Sequence, residues 1–312
     1  MAFTNASGYQ NLAQGNFTPQ IFSQKVQKFF RRASVVEDIT NTDYAGEIEN
    51  FGDTVKIIKE PTITVKDYAR GQTVDTQTLA DDQITMTVDQ GSYFAFKVDD
   101  IEERQSHVNF EALATSSGAY SLKKAYDYNV LKFIYDNAST NASATGTDGS
   151  PIDGDAAVDT LANLVSTAKK NLDRNDVPED NRWLVSSPEF FEQLRKAGAK
   201  LSDQSVMADG GASQIRNGKV TDRPLFGFNM YATNAIAVSS GSAASHTFGS
   251  AGSNEYAFLY GHASGVATVN HIAKTELIRD PDSFADVVRG LHVYGRKILR
   301  SEAVRSGVIT IG

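Results

Sequence analysis

The side chains that could carry out chemistry are scattered along this 312-residue chain. His107 and Glu111 lie one helical turn apart, a spacing that two metal ligands can use, but no third ligand lies nearby in the sequence. A Ser-x-x-Lys pattern occurs at Ser121 and Lys124 and again at residues 166–169. Neither copy has the Ser-Asp-Asn and Lys-Thr-Gly partners that give this pattern a catalytic meaning. These spacings favour a solvated helix surface over a reactive site.

Two loops resemble ligand-binding loops only in part. The loop from Gly211 to Lys219 has six residues between its glycines and a valine after the lysine, so it lacks the magnesium-binding hydroxyl of a phosphate loop. Asp153, Asp155 and Asp159 lack the glycine and the closing glutamate of a calcium loop. The chain contains no cysteine, which excludes thiolate catalysis and disulfides. We therefore predict that the protein is not an enzyme and has no catalytic, cofactor-binding or metal-binding residues.

Charge is unevenly distributed along the chain. The net charge is −8 and the pI is about 5.2, which disfavours a dedicated nucleic-acid reader. Residues 46–100 hold 11 acidic and 5 basic side chains, whereas residues 289–312 hold 1 acidic and 5 basic ones. Solvated faces and complementary patches on neighbouring copies explain this asymmetry equally well. The chain shows no apolar run of about 20 residues and no signal-peptide pattern at its start, so no membrane partner is expected.

Helical periodicity predicts four helices. The first begins at Thr18-Pro19, and the second is a long helix that is capped by Asp99 or Asp100 and ends near Ala138. The apolar stripe of the long helix is Leu122, Tyr126, Val130 and Phe133. The third helix carries Val158, Leu161, Val165, Ala168 and Leu172, and the fourth runs from Ser187-Pro188 to Gly198.

Period-two alternation predicts a hairpin between residues 46 and 98. Ile63 and Val65 alternate with polar residues before a long acidic connection, and Ile84, Met86 and Val88 alternate after it. A lone hairpin is marginal in water, so its apolar face must be covered. The cover is either the rest of this chain or another copy of it.

Five stretches, in order along the chain, resemble a known family: FGDTVKI (51–57), FKVDDIEERQ (96–105), NLDRNDVPEDNRWLVSSPEFFEQL (171–194), RPLFGFNMYATNAI (223–236) and FADVVRGLHVYGRKILRSEAV (284–304). They resemble successive segments of tailed-phage major capsid proteins. These segments are the strand before the extended loop, the entry into the spine helix, a helix–strand–helix passage, the axial strand pair and the last peripheral strands. The order and spacing of the stretches make the resemblance specific.

The resemblance implies an α+β fold that is shared by tailed-phage and herpesvirus shells. The implied division of the chain is an N-terminal arm (1–45), an extended β-hairpin loop (46–98), a peripheral domain with a long spine helix (99–180 and 271–312) and an axial domain (181–270). In this family the extended loop lies across the next subunit. We therefore expect a neighbouring subunit to cover the apolar face of the hairpin.

The implied function is that of a structural major capsid protein. Copies of the chain would self-assemble, as pentamers and hexamers, into an icosahedral shell around double-stranded DNA, which they would contact non-specifically. The expected location is the virion, with assembly in the cytoplasm of the host bacterium. Because the first predicted helix begins near residue 18, we expect no cleaved scaffolding segment. We expect a separate scaffolding protein and a portal instead.

The predicted inter-subunit contacts lie in two regions. On the extended loop they are Val65, Tyr68, Arg70, Leu79, Ile84 and Met86, and near the C-terminus they are Arg296 and Arg300. For the two arginines the alternative is exposure to solvent, or support of the peripheral sheet within one subunit.

Other functions remain open on the sequence alone. The nearest alternative is the shell of a bacterial nanocompartment with the same fold, which would hold protein cargo instead of DNA. A second alternative is an enzyme with an unrecognised site, and a third is another virion component such as a tail or decoration protein. Particle size and particle contents distinguish these possibilities.

Overall fold

The computed structural model describes residues 34–44, 54–61, 63–74, 76–78, 82–99, 110–140, 146, 151–155, 160–197, 226–236, 255–281 and 283–311. The predicted helix at Thr18, the predicted contact Leu79, His107 and the loop 211–219 lie outside these residues.

The described part of the chain contains α-helices at α1 (Val36–Ile39), α2 (Phe110–Asn137), α3 (Thr160–Asp173) and α4 (Pro188–Ala197). The apolar spacing predicted for α3 is confirmed, since Leu161, Val165, Ala168 and Leu172 are all buried. Pro188 occupies the first turn of α4, and the Ser187 hydroxyl accepts a hydrogen bond from the Phe190 backbone N–H at 3.3 Å. Proline at the first position after a hydroxyl cap explains why this helix begins there.

The long helix α2 is buried on a broader stripe than predicted. Tyr126 and Val130 are buried as expected, but so are Leu131 and Ile134. Phe133 is half-buried, and the guanidinium of Arg296 lies over its ring. Asp99, one of the two residues predicted to cap α2, instead ends a β-strand, β3 (Gln90–Asp99).

A six-stranded sheet forms the central layer. Its strands are β4 (Ser139–Thr140), β5 (Ile152–Asp153), β6 (Arg182–Ser186), β7 (Asn229–Ala232), β8 (Glu255–His262) and β11 (Val304–Thr310). The order is β4-β11-β8-β6-β7, and β5 also pairs with β11. Strand β8 is antiparallel to β11 and β6, whereas β6–β7, β4–β11 and β5–β11 are parallel pairs.

Both faces of this sheet are covered, so all five residues of β6 are buried. Leu184, Phe258 and Tyr260 belong to a cluster with the apolar side chains of α3 and α4. Trp183 and Leu259 project to the opposite face, where they join a cluster with α1 and α2. Successive residues of a strand alternate between faces, so one sheet builds two cores.

A three-stranded antiparallel sheet extends beyond the central layer. Its strands are β3 (Gln90–Asp99), β9 (Val266–Arg279) and β10 (Ala285–Ile298), with β10 in the middle. The register of β9 and β10 shifts between Val293 and Tyr294, which marks a β-bulge.

A two-stranded hairpin is formed by β1 (Thr54–Ile58) and β2 (Gln83–Thr87), with Thr54 opposite Thr87 and Ile58 opposite Gln83. The strand expected around Ile63 and Val65 is not formed: the described residues between Lys59 and Asp82 contain no strand. Alternation determines which side chains share a face, but a strand also needs a hydrogen-bonding partner. The described part of this chain provides that partner only as far as β1.

Candidate assembly surface

The hairpin divides into a covered base and an exposed tip. At the base, Met86 and Val88 are buried in a small core with Ala267, Val269 and Val293, against which Val55 and Ile57 pack. The tip, defined here as the described residues from Lys59 to Asp82, exposes large apolar side chains: Ile63 (70%), Val65 (91%), Tyr68 (70%) and Val74 (74%). Four large exposed apolar side chains on one loop make the tip a candidate contact surface.

The tip has a defined backbone shape. The Gln72 N–H donates to the Ala69 carbonyl at 3.0 Å, and Gly71 adopts a φ of +89°. This is the geometry of a type II turn, with Arg70 at the second position and glycine where a positive φ is needed. Side-chain amide oxygens bind two further backbone groups, since Gln72 accepts from Ala69 N at 3.2 Å and Gln77 accepts from Thr64 N at 3.0 Å.

Where the tip begins, Lys59 and Asp82 add one more backbone pair to the β1–β2 hairpin. The Lys59 N–H donates to the Asp82 carbonyl at 2.9 Å, and the two side chains form an exposed ion pair at 3.5 Å. An exposed pair of this kind contributes little to stability, so the backbone bond is the more important link.

A close backbone approach anchors the base of the hairpin. A Cβ atom placed on Gly295 of β10 would lie 2.7 Å from the Thr87 carbonyl oxygen and 3.3 Å from the Val88 Cα. Glycine is therefore required for β10 to lie directly against the end of β2.

The predicted contact residues of the loop lie in different environments. Val65, Tyr68 and Arg70 are exposed on the tip, and Ile84 is half-buried in β2. Met86 must be corrected, because it is fully buried against its own chain. The alternating pattern correctly placed Met86 on the apolar face. It could not show that β9 and β10 of the same chain cover that part of the face.

The two predicted arginines also differ. Arg296 donates a hydrogen bond from Nη1 to the Asn129 carbonyl, and its guanidinium lies 4.9 Å from the Phe133 ring centroid. These contacts tie β10 to α2 within one chain, which favours the intra-subunit alternative for Arg296. Arg300 is exposed, so a contact between subunits remains a prediction for it.

Sequence reasoning missed a second exposed apolar surface. Tyr93 (78%), Phe284 (80%) and Leu277 (59%) are exposed on or beside the three-stranded sheet. Tyr93 and Leu291 are direct neighbours in the β3–β10 pairing. The adjacent aromatic residues Tyr93 and Phe94 could have indicated this surface. Consecutive residues of a strand point to opposite faces, so an aromatic side chain must lie on each face of β3.

A cleft of about 310 Å³ lies between α1, α2 and the three-stranded sheet. Glu37, Phe94, Tyr126 and His292 are among its lining residues. Burial raises the pKa of Tyr126 to about 12, because the phenolate would lose its hydration. The cleft also contains charged side chains, and of these Glu37 is paired with Lys123 at 3.1 Å.

Within the described residues, no group of three or more histidine or acidic side chains is placed to hold a metal ion. Ser121 and Lys124 are both exposed on α2, as expected of ordinary helix surface. None of the helices described is both long enough and apolar enough to span a membrane.

Comparison with known proteins agrees with this geometry. A family model described as phage capsid protein matches residues 81–306. The solved structure from Mycobacterium phage Che8 is 29% identical, with a TM-score of 0.75 and coverage of 95% of this chain and 98% of that chain. The capsid of cyanophage P-SCSP1u (15% identity, TM-score 0.69, coverage 96% and 94%) and that of an empty GTA particle (14%, 0.66, coverage 96% and 98%) share the fold. Among curated proteins, none matches this sequence.

The chain belongs to the phage capsid protein family, because the matched segment covers well over half of it. The expected mixed helix-and-sheet fold of phage capsids is confirmed by the structural matches. The family match and the structural match to the phage Che8 protein also confirm the expected function of a structural major capsid protein. As a member of this family, the protein is a component of a virion capsid and assembles with its own copies into a shell.

Proposed function

We propose that copies of this chain form a closed icosahedral shell of pentamers and hexamers around the double-stranded DNA of a tailed phage. Assembly takes place in the host cytoplasm with a separate scaffolding protein and a portal, and the subunit itself has no enzymatic activity. The proposal includes the division into arm, extended loop, peripheral domain and axial domain. The single observation that supports it most is the exposed apolar tip on a hairpin with a firmly anchored base.

The tip supports this function because its apolar side chains have no cover within the described chain. Burying a side chain of the size of valine or leucine contributes about 1.5–3 kcal/mol. Val65 and Tyr68 are exposed by 91% and 70%, so most of that contribution is available to a neighbour. In a closed shell each subunit makes such contacts several times, and linked contacts strengthen one another.

The acidic balance fits a shell that holds DNA without gripping it. Phosphates attract basic protein surfaces strongly, and the affinity rises with each lysine or arginine that contacts one. A net charge of −8 keeps that attraction weak. We therefore propose non-specific and transient contact with the packaged DNA.

The contribution of the tip is tested with Val65→Ser/Tyr68→Ser. We expect the purified subunit to keep the melting temperature of the wild type, because both side chains are already exposed. Shell formation, measured by light scattering and electron microscopy, should be lost or strongly reduced. The matched control is Val65→Ile/Tyr68→Phe, which keeps the apolar area and should assemble normally.

Normal shells from the double serine variant would contradict the role of the tip. A separate measurement tests the contents of the shell. Nuclease treatment of native particles should leave protected double-stranded DNA of phage length. Particles that hold a protein cargo and no DNA would support the nanocompartment alternative instead.

A further inference from the structure

His292 lies where the long helix α2 meets the three-stranded sheet. Its ring centroid is 5.3 Å from that of Tyr126 on α2 in an edge-on arrangement, and 5.3 Å from that of Tyr294 on β10 in a stacked arrangement. The two tyrosine rings are perpendicular, with centroids 4.9 Å apart. We call these three residues the aromatic cluster. Edge-to-face and offset-stacked rings of this kind stabilise the contact between their elements.

The imidazole in this cluster has one nitrogen with no partner. His292 Nδ1 is buried, and it makes no hydrogen bond to any residue that the structure describes. A neutral imidazole tolerates this, since one of its nitrogens is only an acceptor. A protonated imidazole has two N–H donors, and a buried cationic donor without an acceptor is costly.

The charged groups that the structure describes around His292 do not provide the missing partner. From α1, Glu37 lines the same cleft, but its carboxylate is paired with Lys123 of α2 at 3.1 Å. From β9, Lys274 lines the cleft and is paired with Glu276. Asp127, beside Tyr126 on α2, accepts a hydrogen bond from the Ser34 hydroxyl at 2.6 Å. Strand β3 contributes the ring of Phe94, which is not titratable.

Burial alone lowers the pKa of His292 below its ordinary value of 6.5. A histidine whose pKa is lower in the folded state is neutral there when its unfolded counterpart is already protonated. Its packing therefore contributes fully above pH 6.5. The contribution is lost as the pH falls from 6.5 through the lower pKa of the folded state.

We propose that His292 makes the docking of α2 on the three-stranded sheet sensitive to acid. A proton on the imidazole disrupts the aromatic cluster and loosens the helix from β10. If the proposed shell function holds, this contact is repeated in every subunit, so mild acid changes the geometry of the whole shell together.

The test uses the full-length chain before assembly, so its result does not depend on whether shells form. Hydrogen exchange across residues 110–137 is measured by mass spectrometry between about pH 7.5 and pH 5, with correction for the intrinsic effect of pH. We expect exchange in α2 to accelerate several-fold over this range in the wild type. In His292→Phe, which keeps a ring but cannot be protonated, the exchange should stay constant.

The matched control is His262→Gln. Burial also lowers the pKa of His262, but this residue lies outside the cleft, where its Nδ1 accepts from Ser264 N at 3.1 Å. The control should keep the acid response of α2. An equal acceleration in the wild type and in His292→Phe, or no acceleration in the wild type, would overturn the proposal.

If His292→Phe does not fold at neutral pH, NMR titration of the wild-type histidines decides the question. A value of 6.5 or above for His292 would then overturn the proposal, and a lower value together with accelerated exchange would support it.

Discussion

At the residue scale, Arg182 shows how a charged side chain stabilises the interior. It is 2% exposed, and it donates from Nε to the Pro178 carbonyl at 2.8 Å and from Nη2 to the Val177 carbonyl. Nη1 binds Asp173 at 2.6 Å. One guanidinium thereby fixes the turn between α3 and β6, because its planar set of donors binds three acceptors at once.

Replacing Arg182 with methionine should destabilise the isolated subunit. The variant retains much of the side-chain volume but leaves the two carbonyls and the carboxylate without their donor. We expect a loss of about 3 kcal/mol in the free energy of unfolding. Denaturant titration of the subunit measures it. Arg174→Met is the matched control, since Arg174 is exposed nearby and its loss should change little. Equal stability of the two variants would show that the buried contacts are dispensable.

At the element scale, the base of the hairpin is stabilised by its own chain, whereas the tip is exposed. Its base is sealed by β9 and β10, and Gly295 allows the close approach of β10 to Thr87. The position and direction of the tip thus depend on a contact far from it in sequence.

The change Gly295→Ala should displace the base of the hairpin. The added methyl group overlaps the Thr87 carbonyl, so either β10 or β2 must move, at a cost of about 1–3 kcal/mol. Hydrogen exchange of residues 83–87 should accelerate more than that of the central sheet. Gly91→Ala is the control, because a Cβ atom there would have no neighbour within 4 Å. Unchanged exchange in the Gly295 variant would mean that the backbone relaxes without loss of packing.

The elements differ in how far the sequence predicts them. Helices α3 and α4 are encoded locally, by apolar spacing and by Ser187-Pro188, and both form as predicted. The alternation at Ile84 and Met86 also gave a real strand. The same alternation at Ile63 gave none, because strand formation needs a partner that local sequence does not reveal.

The order of the strands and the burial of Met86 could not be predicted locally, because they depend on pairing between segments far apart in the sequence. Strand β8 lies between β6 and β11, whose residues are distant in sequence from each other. The burial of Met86 follows from β9 and β10, which begin about 180 and about 200 residues later in the chain. The resemblance to a family predicted the fold as a whole. It could not assign Arg296 to a contact within one subunit.

At the scale of the whole molecule, the structure shows which of the unevenly distributed charged groups are exposed. The acidic balance of residues 46–100 includes exposed groups on the tip, such as Asp67 and Asp82. Of the two predicted arginines, only Arg300 is exposed and available to such a surface. Electrostatic attraction between subunits should therefore depend on Arg300 and not on Arg296.

We expect Arg300→Glu to weaken shell assembly at low salt while leaving subunit melting unchanged. The defect should fade with added salt, because the Debye length falls from about 10 Å at 0.1 M to about 3 Å at 1 M. Arg296→Glu should instead lower the melting temperature of the subunit, since it breaks the contact between β10 and α2. Light scattering against salt concentration and thermal unfolding separate the two. A salt-independent defect, or none, for Arg300→Glu would contradict the inter-subunit role.

The hydrogen bonds between glutamine side chains and backbone N–H groups on the tip also bear on aggregation. An uncovered strand edge with apolar side chains pairs indiscriminately with other edges. Here the amide side chains of Gln72 and Gln77 already occupy backbone donors of Ala69 and Thr64. The tip thus presents its apolar side chains while those two N–H groups are withheld. This bonding disfavours fibre-like edge pairing at Ala69 and Thr64, and we expect it to limit the aggregation of free subunits.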